Sequence, residues 1–301
     1  MSAYVGRFAP SPTGPLHFGS LVAAIASWLD ARAAAGRWLV RIEDVDTPRT
    51  APGAIDAILH ALDALGMHSD GEIVRQSERS ALYADALERL RREGRLYRCV
   101  CSRREIADSA VRGPEGAIYP GTCRADLAIF RGEAKPRLDA CAVRFTVPPG
   151  VVRFEDRVQG TVAQDVAREI GDFVLRRRDG LFAYQLAVVV DDAAQGVTDV
   201  VRGADLLGST ARQVLLQRAL GLAPPRYLHF PVVADASGEK LSKQNLARAV
   251  DPREGSRLVA DALRFLGQRE VMLDAPSRML NEALSRWSVE RVPRATTAPM
   301  P

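Results

Sequence analysis

Lysine is scarce in this chain of 301 residues, which has three lysines among its 41 basic side chains. Two of them, Lys240 and Lys243, lie in the segment 238–243, Gly-Glu-Lys-Leu-Ser-Lys. Arginine carries its charge in a broad planar fork, whereas lysine carries a compact, mobile point charge that can follow a phosphoryl group as its geometry changes. The pair therefore indicates a nucleotide site, although a solvated turn explains this segment alone equally well.

Long apolar runs and cysteine are also scarce. No apolar run approaches the roughly 20 residues needed to cross a bilayer, and the chain start is not a charged segment followed by an apolar one. These absences predict a cytoplasmic protein without a membrane partner. The four cysteines do not suggest a disulfide framework, because cytosolic thiols stay reduced. A formal net charge of +4 suits an RNA partner without demonstrating one.

The N-terminal segment predicts a helix start that binds anions. Residues 4–8 look like a short buried strand, and the Pro/Ser/Gly segment after it forms a rigid turn that delivers His17 to an apolar helix over residues 21–35. The free N–H groups and positive dipole end of a helix favour phosphate, Gly19 allows close approach, and His17 can donate to a phosphate oxygen. A local helix cap is the alternative role for this histidine.

Three of the four cysteines are close in sequence. Cys99 and Cys101 form a Cys-x-Cys pair at a predicted strand end, and Cys123 lies beyond a Gly/Pro-rich loop. In a reducing compartment this cluster favours zinc binding over disulfides. Three thiolates need a fourth ligand, and ligand chemistry prefers Cys141 because thiolate suits zinc better than phenolate. Buried cysteines without a metal are the alternative.

Five ordered motifs resemble those of class I aminoacyl-tRNA synthetases, specifically the glutamyl group. Residues 17–20, His-Phe-Gly-Ser, resemble its HIGH signature, with Ser20 in place of the second histidine. Residues 240–244, Lys-Leu-Ser-Lys-Gln, resemble its KMSKS loop. The remaining motifs are Arg-Ile-Glu-Asp-Val-Asp-Thr at 41–47, Tyr-Gln-Leu-Ala-Val-Val-Val-Asp-Asp at 184–192 and Val-Arg-Gly-Ala-Asp at 201–205.

The resemblance implies ATP- and magnesium-dependent activation of L-glutamate to glutamyl-adenylate without tRNA. Only 57 residues follow Gln244, whereas a full glutamyl-tRNA synthetase continues into a large anticodon-binding region. The expected relatives are therefore truncated members of the group, which transfer glutamate to the queuosine base in the anticodon loop of tRNA(Asp). The alternatives are a compact glutamyl-tRNA synthetase that charges a 3′ terminal adenosine and a non-catalytic zinc RNA-binding module.

The resemblance also implies an ATP site and a glutamate site. His17, Lys240 and Lys243 are expected to hold and neutralise the triphosphate, with Gly19 and Ser20 completing the ATP site. The residues implied for glutamate are Arg7, Phe8, Ala9, Pro10, Ser11, Glu43, Tyr184 and Arg202.

Charge and hydrogen-bonding capacity suggest roles within the glutamate site. Arg7 and Arg202 are suited to two-pronged binding of carboxylates, and Glu43 to binding of the ammonium. Ser11 and Tyr184 are suited to hydroxyl hydrogen bonds. Surface ion pairs are the alternative for the three charged residues.

A structural zinc ion, one per chain, is the third implication of the resemblance. Truncated members of the group show a Cys-x-Cys pair followed by Tyr-x-x-x-Cys, which matches Cys99, Cys101, Tyr119 and Cys123 here. Tyr119 is thereby the implied fourth ligand, with Cys141 as the alternative.

The order of predicted elements is typical of an α/β fold with a Rossmann-like doubly wound parallel sheet. The predicted strands cover 38–42, 96–100, 173–176, 182–190 and 227–233, and the predicted helices cover 52–65, 77–93, 204–220, 253–266 and 277–286. Residues 1–98 and 166–245 are expected to form the two halves of the catalytic domain, 99–165 a zinc-binding insertion on the acceptor side, 246–287 a small helical appendage and 288–301 a disordered tail. A monomer is expected.

Overall fold

A computed structural model describes residues 3–109, 111–113, 116–134, 137–234 and 249–300. The strands are β1 Val5–Phe8, β2 Arg37–Ile42, β3 Val74–Arg75, β4 Leu96–Cys99, β5 Arg112–Gly113, β6 Gly116–Ala117, β7 Ala142–Phe145, β8 Val152–Asp156, β9 Gly160–Gln164, β10 Phe173–Arg176, β11 Asp199–Gly203, β12 Arg226–Phe230, β13 Val232–Ala234 and β14 Thr297–Pro299. The helices are α1 Phe18–Ala33, α2 Ala54–Ala64, α3 Ser80–Arg92, α4 Arg103–Ser109, α5 Leu127–Gly132, α6 Val166–Glu169, α7 Tyr184–Ala194, α8 Leu207–Ala219, α9 Gly255–Phe265 and α10 Pro276–Leu284.

Two groups of mainly parallel strands meet side by side in the centre of the molecule. Strands β1, β2 and β3 are parallel neighbours in that order. The second group has the order β11-β12-β8-β9, in which only the β8–β9 pair is antiparallel. The Thr198 N–H donates to the Val5 carbonyl at 2.9 Å, which sets β11 beside β1. The carboxyl ends of β1, β2, β11 and β12 therefore share one edge, where an α/β fold places its ligand site.

Helix α1 is the centre of the main hydrophobic core. Leu21, Ile25 and Leu29 are fully buried and follow the four-residue spacing of one helix face. The terminal helices α9 and α10 add Val259 and Met279 to the same core and pack against α1 and each other. The predicted helices of the 246–287 segment thus form, but they are part of the main core, because their apolar faces cover α1.

One predicted strand is a helix. The sequence pattern predicts a strand over residues 182–190, but α7 occupies this segment from Tyr184 onward. A continuous apolar run does not distinguish a buried strand from a buried helix, and residues on several faces of α7 are buried, from Leu186 to Asp192. The predicted strands β4 and β10 do form, but both pair antiparallel with β7 in a separate sheet.

Within the described residues, the C-terminal segment forms a strand, β14, where the sequence predicts a disordered tail. Strand β14 pairs in parallel with β13, and the Val232 N–H donates to the Thr296 carbonyl at 2.9 Å. The Gln159 side-chain amide also donates to the Ala295 carbonyl at 3.1 Å. Backbone pairing at a sheet edge needs no apolar pattern, which is why composition alone predicted disorder. Within the described ranges, no helix is long and apolar enough to cross a membrane.

Candidate active site and metal centre

A cleft of about 740 Å³ opens at the carboxyl edge of the parallel strands. Every residue predicted for glutamate lines it, as do the three predicted for ATP that the structure describes. These residues are Arg7, Phe8, Ala9, Pro10, Ser11, His17, Gly19, Ser20, Glu43, Tyr184 and Arg202. The structure thus brings together residues that are as far as 195 positions apart in the sequence, from Arg7 to Arg202. Lys240 and Lys243 lie outside the described residues, so their phosphate role stays a prediction.

The start of α1 points into this cleft with His17 as its N-cap. The imidazole folds back over the first turn, where Nδ1 accepts from the Ser20 N–H at 3.3 Å and Nε2 lies 3.1 Å from Ser20 Oγ. A Cβ at Gly19 would lie 3.3 Å from the His17 ring, so the glycine makes room for this arrangement. His17 is therefore a helix cap here, and its expected contact with phosphate stays a prediction.

A buried ion-pair network forms one wall of the cleft. Arg41 is fully buried and donates through Nη2 to Asp192 at 2.8 Å and to Glu43 at 3.1 Å. Arg7 donates through Nε to the same Asp192 oxygen at 3.2 Å. Burial alone would raise the pKa of Asp192, but the two guanidinium groups lower it below its usual value. Burial dominates at Glu43 and raises the pKa of that carboxyl group.

Asp191 extends this network toward α3. Its carboxylate accepts from the Arg79 Nε at 2.6 Å, the Tyr83 hydroxyl at 2.7 Å and the Gln76 amide at 2.8 Å. The three arginines and three carboxylates of the network therefore balance in formal charge. They are Arg7, Arg41, Arg79, Glu43, Asp191 and Asp192.

Within the network, two sets of atoms remain for a ligand. The terminal nitrogens of Arg7 and the second oxygen of Glu43 make no hydrogen bond to any described residue. Both side chains line the cleft. The wall thus offers guanidinium donors for a carboxylate and a carboxylate oxygen for a cation.

Arg202 differs from these arginines because all of its partners are neutral. Its Nη2 donates to Thr210 Oγ1 and to Gln213 Oε1, both at 2.8 Å, and its Nε donates to His229 Nε2 at 3.0 Å. Its Nη1 lies 3.4 Å from the Tyr184 hydroxyl. The residue is 5 % exposed and forms no ion pair within the described part of the chain. It is a buried cation whose charge is not balanced by a neighbouring carboxylate.

This geometry leaves few donors for the expected two-pronged role of Arg202, which stays a prediction. Both hydrogens of Nη2 and the Nε hydrogen are used inside the protein, so Nη1 alone is available to the cleft. A fork built to grip a carboxylate with two parallel hydrogen bonds needs two free nitrogens. Of the Arg202 nitrogens, Nη1 is therefore the one that remains for a ligand in the cleft.

Two residues behind Arg202 were missed by the sequence analysis. His229 is fully buried in β12, and its Nδ1 lies 2.6 Å from Asp156 Oδ2. Burial lowers the pKa of His229 to about 4, and the neighbouring Arg202 adds to that shift, against the opposing effect of Asp156. A signal was available in the sequence, since a histidine interrupts the otherwise apolar end of the strand at 226–230.

The predicted zinc ligands form a compact cluster in the insertion. The sulfur atoms of Cys99, Cys101 and Cys123 all lie within 4.8 Å of one another, and the Cys101–Cys123 sulfur distance is 3.5 Å. The Tyr119 hydroxyl lies 3.4 Å from the Cys99 sulfur and 3.7 Å from the Cys101 sulfur. Zinc–sulfur bonds of about 2.3 Å in a tetrahedron give ligand separations of about 3.8 Å. The donor set therefore fits a tetrahedral zinc ion.

Cys141 lies outside that cluster. It lines a second cavity together with Arg98, Asp126 and Cys123, and its sulfur is not among those within ligand distance of one another. All four cysteines are free thiols. Burial alone would raise the pKa of Cys99, but hydrogen bonds from Tyr119 and Arg144 lower it. The Tyr119 hydroxyl thus lies beside the three thiols, and its role as the fourth zinc ligand stays a prediction.

Comparison with solved structures identifies the fold. A glutamate tRNA ligase from Elizabethkingia meningosepticum CCUG26117, crystallised with its amino acid, matches with a TM-score of 0.79 and 24 % identity. The match covers 100 % of this chain and 67 % of that one. The chain therefore has the α/β fold of that structure, with a parallel sheet and a cleft at the carboxyl edge of its strands.

Sequence comparison then identifies the family. Residues 4–265 match the catalytic domain of the class I tRNA synthetases (E and Q). A glutamyl-Q tRNA(Asp) synthetase of Bordetella bronchiseptica is 57 % identical over 95 % of this chain and 89 % of its own length. A glutamyl-Q tRNA(Asp) synthetase of Dechloromonas aromatica is 53 % identical over 100 % of this chain and 99 % of its own. The chain belongs to the class I (E and Q) tRNA synthetase family, which confirms the predicted resemblance.

Proposed function

We propose that this protein activates L-glutamate with ATP and magnesium, without tRNA, and then transfers it to the queuosine base in the anticodon loop of tRNA(Asp). The family supports an ATP-dependent ligase, and the names of the 57 % and 53 % identical relatives support the queuosine-bearing acceptor. We also propose that the enzyme acts in the cytoplasm. The expected monomeric state stays a prediction.

The observation that carries this proposal is the charge pattern of the cleft. Arg202 is a buried cation with neutral partners, and a buried charge normally requires an opposite charge. The free terminal nitrogens of Arg7 supply a second donor set for an anion, and Glu43 supplies an acceptor for a cation. A small molecule with two carboxylates and one ammonium satisfies all three groups. Glutamate has that composition.

The chemistry requires no covalent nucleophile from the protein. In the first step, the α-carboxylate of glutamate attacks the α-phosphorus of ATP, a new carboxyl–phosphate bond forms, and pyrophosphate leaves with the electron pair. In the second step, a hydroxyl of the acceptor base attacks the acyl carbon, and AMP leaves. The protein contributes by holding the reactants and by stabilising charge. The free N–H groups at the start of α1 suit the phosphates, and Lys240 and Lys243 remain the proposed source of mobile positive charge.

We also propose one structural zinc ion, held by Cys99, Cys101, Tyr119 and Cys123. When bound, the metal would cross-link the insertion. Four protein ligands leave no open position on a tetrahedral zinc ion, so substrate chemistry at the metal is not expected.

Glutamate-dependent exchange of pyrophosphate into ATP tests the first step. The wild-type protein should catalyse exchange with glutamate in the absence of RNA, and much less with glutamine or aspartate. Arg202→Gln should raise the KM for glutamate by about 10- to 100-fold, because it removes a charged hydrogen-bond donor, and leave the KM for ATP within a few fold. Arg153→Gln is the matched control, since Arg153 is exposed on β8. No exchange at saturating glutamate would refute the activity.

Mapping the labelled glutamate tests the second step. Labelled glutamate should enter tRNA(Asp) that carries queuosine, and should remain after removal of the 3′ terminal adenosine under conditions that protect the queuosine diol. Unmodified tRNA(Asp) is the control and should not be labelled. Labelling of tRNA(Glu) at its 3′ end would instead support a compact glutamyl-tRNA synthetase.

A further inference from the structure

Behind Arg202 lies a buried polar chain formed by three neighbouring parallel strands. Arg202 in β11 is in register with His229 in β12, and Asp156 at the end of β8 is in register with Tyr227 of β12. Two hydrogen bonds link these residues from the cleft inward. The first joins Arg202 Nε and His229 Nε2 at 3.0 Å, and the second joins His229 Nδ1 and Asp156 Oδ2 at 2.6 Å. All three residues are at most 5 % exposed.

Asp156 is held in one orientation by backbone donors. Its Oδ1 accepts from the N–H groups of Val158 at 3.0 Å, Gln159 at 2.8 Å and His229 at 3.3 Å. Its Oδ2 is thereby left to face the imidazole. Burial alone would raise the pKa of Asp156, but the hydrogen bonds from His229 and from the backbone lower it, so the group is a carboxylate.

This carboxylate determines the tautomer of His229. A carboxylate oxygen only accepts, so the imidazole Nδ1 must carry the proton. The other ring nitrogen, Nε2, then has a lone pair, and it faces the Nε of Arg202, which can only donate. The Thr210 hydroxyl, which can donate or accept, also lies 3.2 Å from Nε2. Of the two neutral tautomers, the one that Asp156 selects is therefore the one that Arg202 requires.

We propose that Asp156 and His229 are positioning residues for substrate recognition, which hold the Arg202 guanidinium with its Nη1 toward the cleft and leave its charge for the substrate carboxylate. The inference rests on the proposed function, because it assigns the anion at Arg202 to glutamate. A carboxylate in place of His229 would hold Arg202 equally well but would cancel its charge. A neutral imidazole orients the guanidinium and keeps the Asp156 carboxylate out of direct contact with it. The pair thus supports selection of glutamate over its neutral amide, glutamine.

The sharpest test is Asp156→Asn, which preserves volume and the Oδ1 contacts. The three backbone donors keep an oxygen at the Oδ1 position, so the new amide nitrogen faces Nδ1 and donates to it. His229 must then carry its proton on Nε2, where it opposes the Arg202 Nε–H. The KM for glutamate in pyrophosphate exchange should rise by about 10- to 100-fold, whereas kcat and the KM for ATP should change by less than about threefold. Discrimination against glutamine should fall.

Asp30→Asn is the matched control. Asp30 is also a buried carboxylate, 3 % exposed, but it binds Tyr4, Arg157 and Trp287 away from the cleft. This variant should lose comparable thermal stability without a change in the KM for glutamate. Equal effects of the two variants on that KM would overturn the proposal.

Nitrogen-15 spectra of the histidines provide a readout that does not depend on activity. Wild-type His229 should show a protonated Nδ1 and an unprotonated Nε2 at neutral pH, and Asp156→Asn should reverse this pattern. The resonance is assigned by its loss in His229→Gln. A doubly protonated ring, or a protonated Nε2 in the wild type, would overturn the proposed role of Asp156 and His229. Absence of glutamate-dependent exchange in the wild type would instead refute the proposed function. The spectra would still test whether Asp156 sets the tautomer of His229.

A second pair of variants applies if Asp156→Asn does not fold. His229→Gln retains an acceptor for Arg202, whereas His229→Leu removes it. The leucine variant should raise the KM for glutamate by about 10-fold or more relative to the glutamine variant. The same KM in both would show that the acceptor has no role.

Discussion

At the scale of single residues, the arginines of the cleft show how the same side chain serves two purposes. Arg41 is surrounded by Glu43, Asp191 and Asp192, so its charge is balanced and it stabilises the wall. Arg202 is surrounded by neutral acceptors, so its charge is available to a ligand. Arg41 and Arg202 are buried to a similar degree, so the charges of their hydrogen-bond partners determine whether the guanidinium charge is available to a ligand.

The buried imidazole predicts a specific pH dependence of stability. The pKa of His229 is about 4 in the folded protein and 6.5 ordinarily. Between these values the unfolded chain binds a proton that the folded protein excludes, so stability falls as the pH is lowered from about 6.5 to about 4. The free energy of unfolding attributable to this group should fall by about 3 kcal/mol over that window. Urea unfolding of the wild type and of His229→Gln, at several pH values, measures the difference.

The control for this experiment is His60→Gln, because His60 is exposed on α2. Its stability profile should run parallel to that of the wild type, whereas the His229→Gln profile should be flatter between pH 6.5 and 4. Three parallel profiles would mean that His229 is not buried as a neutral group.

At the scale of elements, the insertion combines short strands and helices around the cysteine cluster. Arg144 of β7 stacks on the Tyr119 ring, with its guanidinium carbon 3.8 Å from the ring centroid, and its Nη1 donates to the Asp172 carbonyl at 2.7 Å. Arg124, next to Cys123, forms two hydrogen bonds to Asp172 at 2.6 and 2.7 Å. These contacts hold the four donors near ligand spacing.

Zinc retention should therefore discriminate between the two candidate fourth ligands. Tyr119→Phe should weaken zinc binding by about 100-fold or more, since loss of even an outer hydrogen-bond partner typically weakens a metal site by about 10- to 100-fold. Cys141→Ser should bind zinc like the wild type, because Cys141 lies outside the cluster. Metal analysis of protein purified without chelators, with chelator competition, measures both. Zinc lost from Cys141→Ser but kept by Tyr119→Phe would show that the fourth ligand is Cys141.

The pairing of β14 with β13 predicts a role for the chain end in the cleft wall. Val232 and Val233 of β13 line the cleft and pair with Thr297 and Ala298. Truncation after Val292 should remove several strand hydrogen bonds, each worth about 1 kcal/mol, and so lower the thermal midpoint by several degrees. Hydrogen exchange at β13 should accelerate.

A truncation after Met300 is the control for that experiment and should behave like the full chain. Protection of β13 that survives removal of β14 would show that the tail does not hold the strand.

At the scale of the whole molecule, the two proposed steps should differ in their response to salt. Activation uses small substrates in a largely buried site, whereas transfer requires a phosphate backbone against a chain of net charge +4. Neutralising even three phosphates of a single-stranded loop makes binding fall by about 10-fold or more between 50 and 200 mM salt. The KM for tRNA(Asp) should rise accordingly, and RNA-free pyrophosphate exchange should change little. An equal response of both steps would contradict an electrostatic RNA interface.

The sequence alone determined the family, the fold class and the membership of the cleft. Its motifs resemble those of one group, and the carboxyl ends of parallel strands converge wherever this fold forms, so Arg7, Glu43 and Arg202 could be predicted as neighbours. The apolar patterns likewise predicted most helices and strands.

Only the tertiary structure decided which partners surround these residues. The neutral environment of Arg202 depends on the pairing of β11 with β12 and of β12 with β8, which brings His229 and Asp156 behind it. The placement of Tyr119, and not Cys141, beside the three thiols depends likewise on contacts between distant segments. The same holds for the helical state of 184–194 and the pairing of the tail. Local patterns report which face of an element is apolar. Local patterns do not report which strand will lie beside that element. The pairing and register of the strands set the contacts between distant residues.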